Sequence, residues 1–169
     1  MTRQTFEEHV AGSLDALYQG ALFLAGGDRS SAERLLVDSM THAFRQRTSP
    51  DDPRPVERQL EAGLVRGFVA RLDGPADELP RAQTRTSRAE PAVLRHARPD
   101  RLFAAVSAVP EWARAALWLV LLRRWSYADA ASTLGVDKAV LTELLRYRER
   151  LLDGLVDVAG SSGTEGVGG

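Results

Sequence analysis

The eight prolines of this chain all fall between Pro50 and Pro110, and they decide where helices can run. Three lie in the stretch Thr48–Pro55, where a helix cannot continue, and four more (Pro75, Pro80, Pro91 and Pro99) lie between Asp73 and Arg101. The second stretch also carries Arg81, Arg85, Arg88, Arg95, Arg98 and Arg101 with few large apolar residues, the composition of an extended linker. The expectation is an all-α chain of two small helical domains, residues 1–72 and 102–156, joined by a linker over 73–101.

Helical signals fill both flanks. Thr5 with Glu8 reads as a capping box, followed by Val10, Leu14, Leu17, Ala21 and Leu24 on one face. Gly26-Gly27-Asp28 breaks that helix. Ser30 with Glu33 reads as a second capping box ahead of Ala32, Leu35, Leu36, Ser39, Met40, Ala43 and Phe44, so the first two helices should form an antiparallel hairpin. A third helix, Val56 to Leu72, carries Leu60, Leu64, Phe68 and Leu72 and completes a bundle. The second domain should open near Leu102 with Phe103, Val106 and Val109. Pro110 suits the first turn of the next helix, and Trp112 to Trp125 is strongly apolar. Ser126, with Asp129 three residues on, caps a short helix that ends at Leu134-Gly135-Val136. Gly135 supplies the positive φ of a tight turn, and Asp137 caps a last helix through Leu152. That is a helix-turn-helix layout. The tail, residues 157–169, is glycine-rich from Ala159 onward and reads as disordered.

Composition removes several classes of function. Lys+Arg 22 against Asp+Glu 23 leaves a formal charge of −1, so any nucleic-acid contact must be local rather than a bulk electrostatic effect. Nothing resembles a signal peptide or a membrane span, and with no cysteine there is neither a disulfide framework nor a thiolate metal site. A soluble cytoplasmic protein without a membrane role is expected. No Gly-rich phosphate loop and no activated nucleophile is present, and His9, His42 and His96 have no ligand spacing, so neither an enzyme nor a metal or cofactor is expected. Trp112, Trp118 and Trp125 read as packing residues of the core and the domain interface.

The segment VPEWARAALWLVLLRRWSYADAASTLGVDKAVLTELLRYRERL resembles the C-terminal promoter-reading domain of small sigma-70 factors of the extracytoplasmic-function type. Its most specific element is Ser126-Tyr127-Ala128-Asp129-x-Ala131-x-x-Leu134-Gly135-Val136. Leu17-Tyr18-x-x-Ala21-Leu22-x-Leu24, Ala32-Glu33-x-Leu35 and Ala43-Phe44-Arg45 look like the core of that family's polymerase-binding domain. The resemblance implies core RNA polymerase and promoter DNA as partners and leaves an anti-sigma factor open as another. Glu33, Leu36 and Asp38 would then hold the polymerase, and Arg66 and Arg71 would lie near the minus-10 strand. Lys138, Thr142, Glu143, Arg146 and Tyr147 would face the minus-35 major groove. The chain departs from the family at several points. Arg34 and Val37 replace an acidic residue and a glutamine. The third helix lacks the usual tryptophan and asparagine and offers Gly67 and Phe68, and Thr142 and Leu144 replace a basic pair, with Glu143 between them.

Two rival readings follow from those departures. One is a sigma-like protein that has lost promoter reading and regulates transcription through protein contacts, with apolar Val140 and Leu144 covered by a partner. The other is a stand-alone helix-turn-helix repressor that dimerises through the tryptophan-bearing helix. An open ridge of Lys138, Thr142 and Arg146 would favour DNA reading, whereas Leu144 and Tyr147 packed against the N-terminal domain or a partner would count against it.

Overall fold

The computed structural model describes residues 3–46, 55–76 and 97–160, all of whose regular elements are helical. Arg81, Arg85, Arg88, Arg95 and His96 of the expected linker, and the tail beyond residue 160, lie outside the described residues. Helix α1 spans Arg3–Leu24, so Thr5 lies inside it rather than at its cap. Leu17, Ala21 and Leu24 are buried as expected, but Gly20, Leu22 and Phe23 are buried too, and Leu14 is exposed. A helix end apolar all round needs neighbours on every side. It finds them in α2 and α3 and in the helices that follow the linker.

Gly26 (φ 64°) and Gly27 (φ 89°) end α1 in left-handed backbone, with the Gly27 N–H donating to the Leu22 carbonyl at 2.8 Å. Helix α2, Arg29–Gln46, is then capped by Asp28, whose Oδ1 accepts from the Ser31 N–H at 2.6 Å, not by Ser30 with Glu33. That hydrogen bond, first of all, holds the Asp28 carboxyl below its ordinary range. Helix α3, Val56–Val69, buries Leu60, Leu64 and Phe68 along one row and ends before Leu72.

Helix α4, Pro99–Ser107, starts three residues earlier than expected because Pro99 takes its first position. Pro110 stands just before α5, Glu111–Leu117, which runs into a π-helical turn over Trp118–Leu122. Helix α6, Tyr127–Leu134, has the Ser126 cap, with the Asp129 N–H donating to Ser126 Oγ at 3.1 Å. Gly135 lies at φ 69° and Asp137 caps α7, Lys138–Leu145, accepting from the Val140 N–H at 2.8 Å. The expected single last helix is divided at Arg146, and α8, Tyr147–Gly160, follows. The division lets α7 lie against α5 and α6 while α8 turns back along α4.

A Cβ added at Gly135 would meet nothing within 4 Å, so Gly135→Ala isolates the cost of left-handed backbone for a residue with a side chain. We expect a loss of about 1–2 kcal/mol, measured as a lower denaturant midpoint at unchanged slope.

Candidate nucleic-acid interface and the joint between the domains

Asp137 and Gly135 orient α7 so that Lys138, Thr142 and Arg146 stand exposed at four-residue spacing along one side. Two of the three are partly engaged within the helix. Thr142 Oγ1 donates to the Lys138 carbonyl at 2.8 Å, and Arg146 pairs with half-buried Glu143 at 3.2 Å. The opposite side supplies the core. Leu141 and Leu144 are buried, and so is Tyr147, at 3% exposure. Tyr147 therefore supports the ridge from beneath instead of facing a groove, and Arg150 stacks over its ring at 5.3 Å. Leu144 is covered by the chain itself, which removes it from the surface on which the protein-contact reading relied.

Beside the ridge, Val120, Leu121, Tyr127, Leu145 and Arg148 line a shallow groove that Thr142 and Arg146 border. Tyr127 is an exposed aromatic, and its place in the motif did not announce that. In the first domain, Glu33 and Asp38 are exposed on α2 and Leu36 is half-buried. Val37, a departure from the family pattern, is the most open of the large apolar residues among those described, at 62%. Asp38 is ion-paired with Arg71, so the structure ties a residue expected at polymerase to one expected at DNA. Arg34, Leu35, Phe68 and Glu111 line the same cleft. Arg66 is exposed on α3. Phe68 is buried, which leaves α3 no exposed aromatic for stacking on a flipped base.

Trp125 is buried where the two domains meet, as its packing role predicts, and beside it lie Glu61, Arg123 and Arg114, which the sequence did not single out. Glu61 of α3 is 2% exposed, and its Oε1 accepts from Arg123 Nε at 2.5 Å while its Oε2 accepts from Trp125 Nε1 at 2.7 Å. The second Arg123 nitrogen also reaches Glu57 at 2.8 Å, and Arg58 stacks on the Trp125 ring at 4.9 Å. Burial acts to lower the Arg123 pKa, but hydrogen bonding to Glu61 and the charges of Glu61 and Glu57 outweigh it and raise the value. Arg114 donates to the Leu24 carbonyl at the end of α1 and to the Val109 carbonyl, each at 2.8 Å, and burial lowers its pKa. A glutamate inside the apolar run of α3 and an Arg-Arg-Trp triplet closing an apolar helix were the available signals, but nothing in one sequence pairs them.

Trp118, buried as the packing reading expects, lies on Gly20 of α1, where an added Cβ would fall inside the indole's own volume. Gly20→Val should therefore destabilise the folded chain by about 1–3 kcal/mol through overpacking, read as a lower unfolding midpoint and an altered Trp fluorescence maximum.

No protein-family model matches the sequence, and no curated protein matches it. Among solved structures, the chain is similar to the sigma factor RpoE from Bartonella quintana, solved in complex with the anti-sigma factor NepR. The identity is 20% and the TM-score 0.66, over 90% of this chain and 98% of that one. The match takes in both helical bundles, and in the second Tyr127–Leu134 and Lys138–Leu145 are joined at the Gly135 turn. The chain thus has the two-domain, all-helical fold of an extracytoplasmic-function sigma factor.

Proposed function

We propose that the chain is a sigma-factor-like transcription protein that acts in the cytoplasm, binding core RNA polymerase through α2 and promoter DNA through α7. The observation that carries this reading is the open ridge of Lys138, Thr142 and Arg146 on the second helix of a helix-turn-helix, within a fold similar to a sigma factor. Lys138 and Arg146 suit phosphate oxygens, and the Thr142 hydroxyl and Glu143 carboxylate suit base edges, a carboxylate accepting from a cytosine amino group. So few cations, in a chain of net charge −1, predict weak DNA binding by the isolated protein. Polymerase has to supply the rest of the affinity.

On α2, Glu33 and Leu36, with Val37 one turn after Glu33, form the surface offered to polymerase, and Asp38 takes part while paired to Arg71. Arg66 is the exposed cation of α3 nearest the role expected at the minus-10 strand. The similar sigma factor was solved with an anti-sigma factor, and we count a protein of that kind among the partners of this chain.

Reconstitution with core RNA polymerase and the chain's own upstream promoter region tests the reading. Co-elution with run-off transcripts is the expected result, and no co-elution overturns it. In the reconstituted complex, Lys138→Ala should weaken promoter binding on all sequences and reduce the slope of log affinity against log salt by about 1. Glu143→Gln should change base preference at one position instead, by about 1–3 kcal/mol between the preferred base and its competitors.

A further inference from the structure

We infer that Arg124 is a DNA-backbone contact, its guanidinium holding a phosphate beside the bases that the α7 ridge reads. This inference rests on the proposed reading of the ridge and adds a second point of attachment outside α7.

Arg124 occupies backbone that its residue type does not favour. Its φ is 55°, and it is the only residue other than glycine with positive φ among the described residues. Left-handed backbone is costly for a residue with a side chain, because the Cβ crowds the following carbonyl. At the other four described positions of positive φ, residues 26, 27, 74 and 135, the chain uses glycine. The turn at 124 has the same kind of backbone and carries an arginine.

The neighbours of Arg124 fix that backbone. The π-helical turn over Trp118–Leu122 ends just before it, with the Arg123 N–H donating to the Trp118 carbonyl and the Trp125 N–H to the Leu119 carbonyl, each at 3.0 Å. The side chains of Arg123 and Trp125 then both bond Glu61. Glycine at 124 would leave all of these contacts in place with less strain. The arginine side chain adds nothing to them. It is exposed, and its guanidinium has no hydrogen-bond or ion-pair partner among the described residues. Backbone strain persists where the strained residue is put to use, and inside the fold this side chain is not used. Its partner is therefore an anion outside the chain.

The position of Arg124 says which anion. It stands three residues after Leu121 and three before Tyr127, and both of those line the groove that Thr142 and Arg146 border. At most about 10 Å of chain separates it from either. On the proposed reading, α6 and α7 act as a helix-turn-helix, in which the second helix enters the major groove while the first crosses the sugar-phosphate backbone. Arg124 lies just ahead of the Ser126 cap of that first helix. A planar guanidinium takes two phosphate oxygens at once, which suits arginine to this place better than a point charge. On α7 itself Arg146 is already paired with Glu143, so the ridge has few cations to spare for phosphates. Phosphate contacts set register and base contacts set specificity. A phosphate held by Arg124 and another by Lys138, on separate elements, keep Thr142 and Glu143 over the same bases.

Arg124→Gly removes the guanidinium and keeps the left-handed backbone. In the complex with core polymerase it should reduce the slope of log promoter affinity against log salt by about 1, equally on all sequences, so that its deficit against the unaltered chain shrinks about threefold between 50 and 200 mM salt. The denaturant midpoint of the same variant should rise, because strain is relieved and no internal contact is lost. Arg124→Gln keeps the Cβ, loses the charge and should change the slope equally, whereas Arg124→Lys should restore it. An unchanged slope in both Arg124→Gly and Arg124→Gln overturns the inference. A lowered midpoint in Arg124→Gly also overturns it, by assigning the side chain to the fold. Weaker co-elution of the variant with polymerase in the absence of DNA does so too, by assigning the side chain to an acidic protein surface. If the unaltered chain itself does not co-elute with polymerase, the proposed function fails, and the same slope comparison on the isolated chain with promoter DNA at low salt decides Arg124 separately.

Discussion

The last two turns of α1 hold this molecule together. Leu17, Ala21 and Leu24 face α2 and α3 in the manner of any three-helix bundle, but Gly20, Leu22 and Phe23 are buried as well, and the helices after the linker close over them. One apolar core therefore runs through both helical domains, from Leu35 and Leu64 to Leu141 and Leu152. A chain of this length divided into two separate bundles would leave each below the size at which a helical core is comfortably stable. Sharing α1 offsets that shortage, and the polar groups at the joint are satisfied across it.

That arrangement bears on how a chain of net charge −1 could read DNA. Helix α7 devotes Leu141, Leu144 and the following Tyr147 to the core, which leaves a narrow ridge in which Thr142 and Arg146 already have partners close by in the chain. A ridge of this kind contributes discrimination more readily than affinity, because the phosphate contacts that dominate affinity are few. The first domain shows the same economy. Phe68 goes into the bundle, and Arg71 is spent on Asp38.

The local punctuation was legible in the sequence. Ser126, Gly135 and Asp137 have the capping and turn roles that their types and spacing dictate, because those roles depend only on neighbours a few residues away. The rows Leu60, Leu64, Phe68 and Leu17, Ala21, Leu24 were legible for the same reason, since helical spacing is local information. Asp28 was missed because two competing caps stood within three residues and the glycines before it decided between them. The division of the last helix at Arg146 was missed because it serves contacts of α8 with α4, more than forty positions earlier in the chain. Glu61 was missed for the plainest reason. Alone on a helix it reads as a solvated acid, and its donors lie 62 and 64 positions further on.

The glycines beneath the second domain have a consequence for how this sequence can change over time. Gly20, Gly26 and Gly27 are fixed less by their own helix and turn than by Trp118, Arg114 and Phe103, residues that enter from the other half of the chain. A larger residue at Gly20 becomes acceptable only after Trp118 has shrunk, and a shrunken Trp118 leaves a void until Gly20 has grown. Each change alone is a loss, and both together can be neutral. Inheritance at these positions should therefore run in pairs, with the history of one domain recorded in the other.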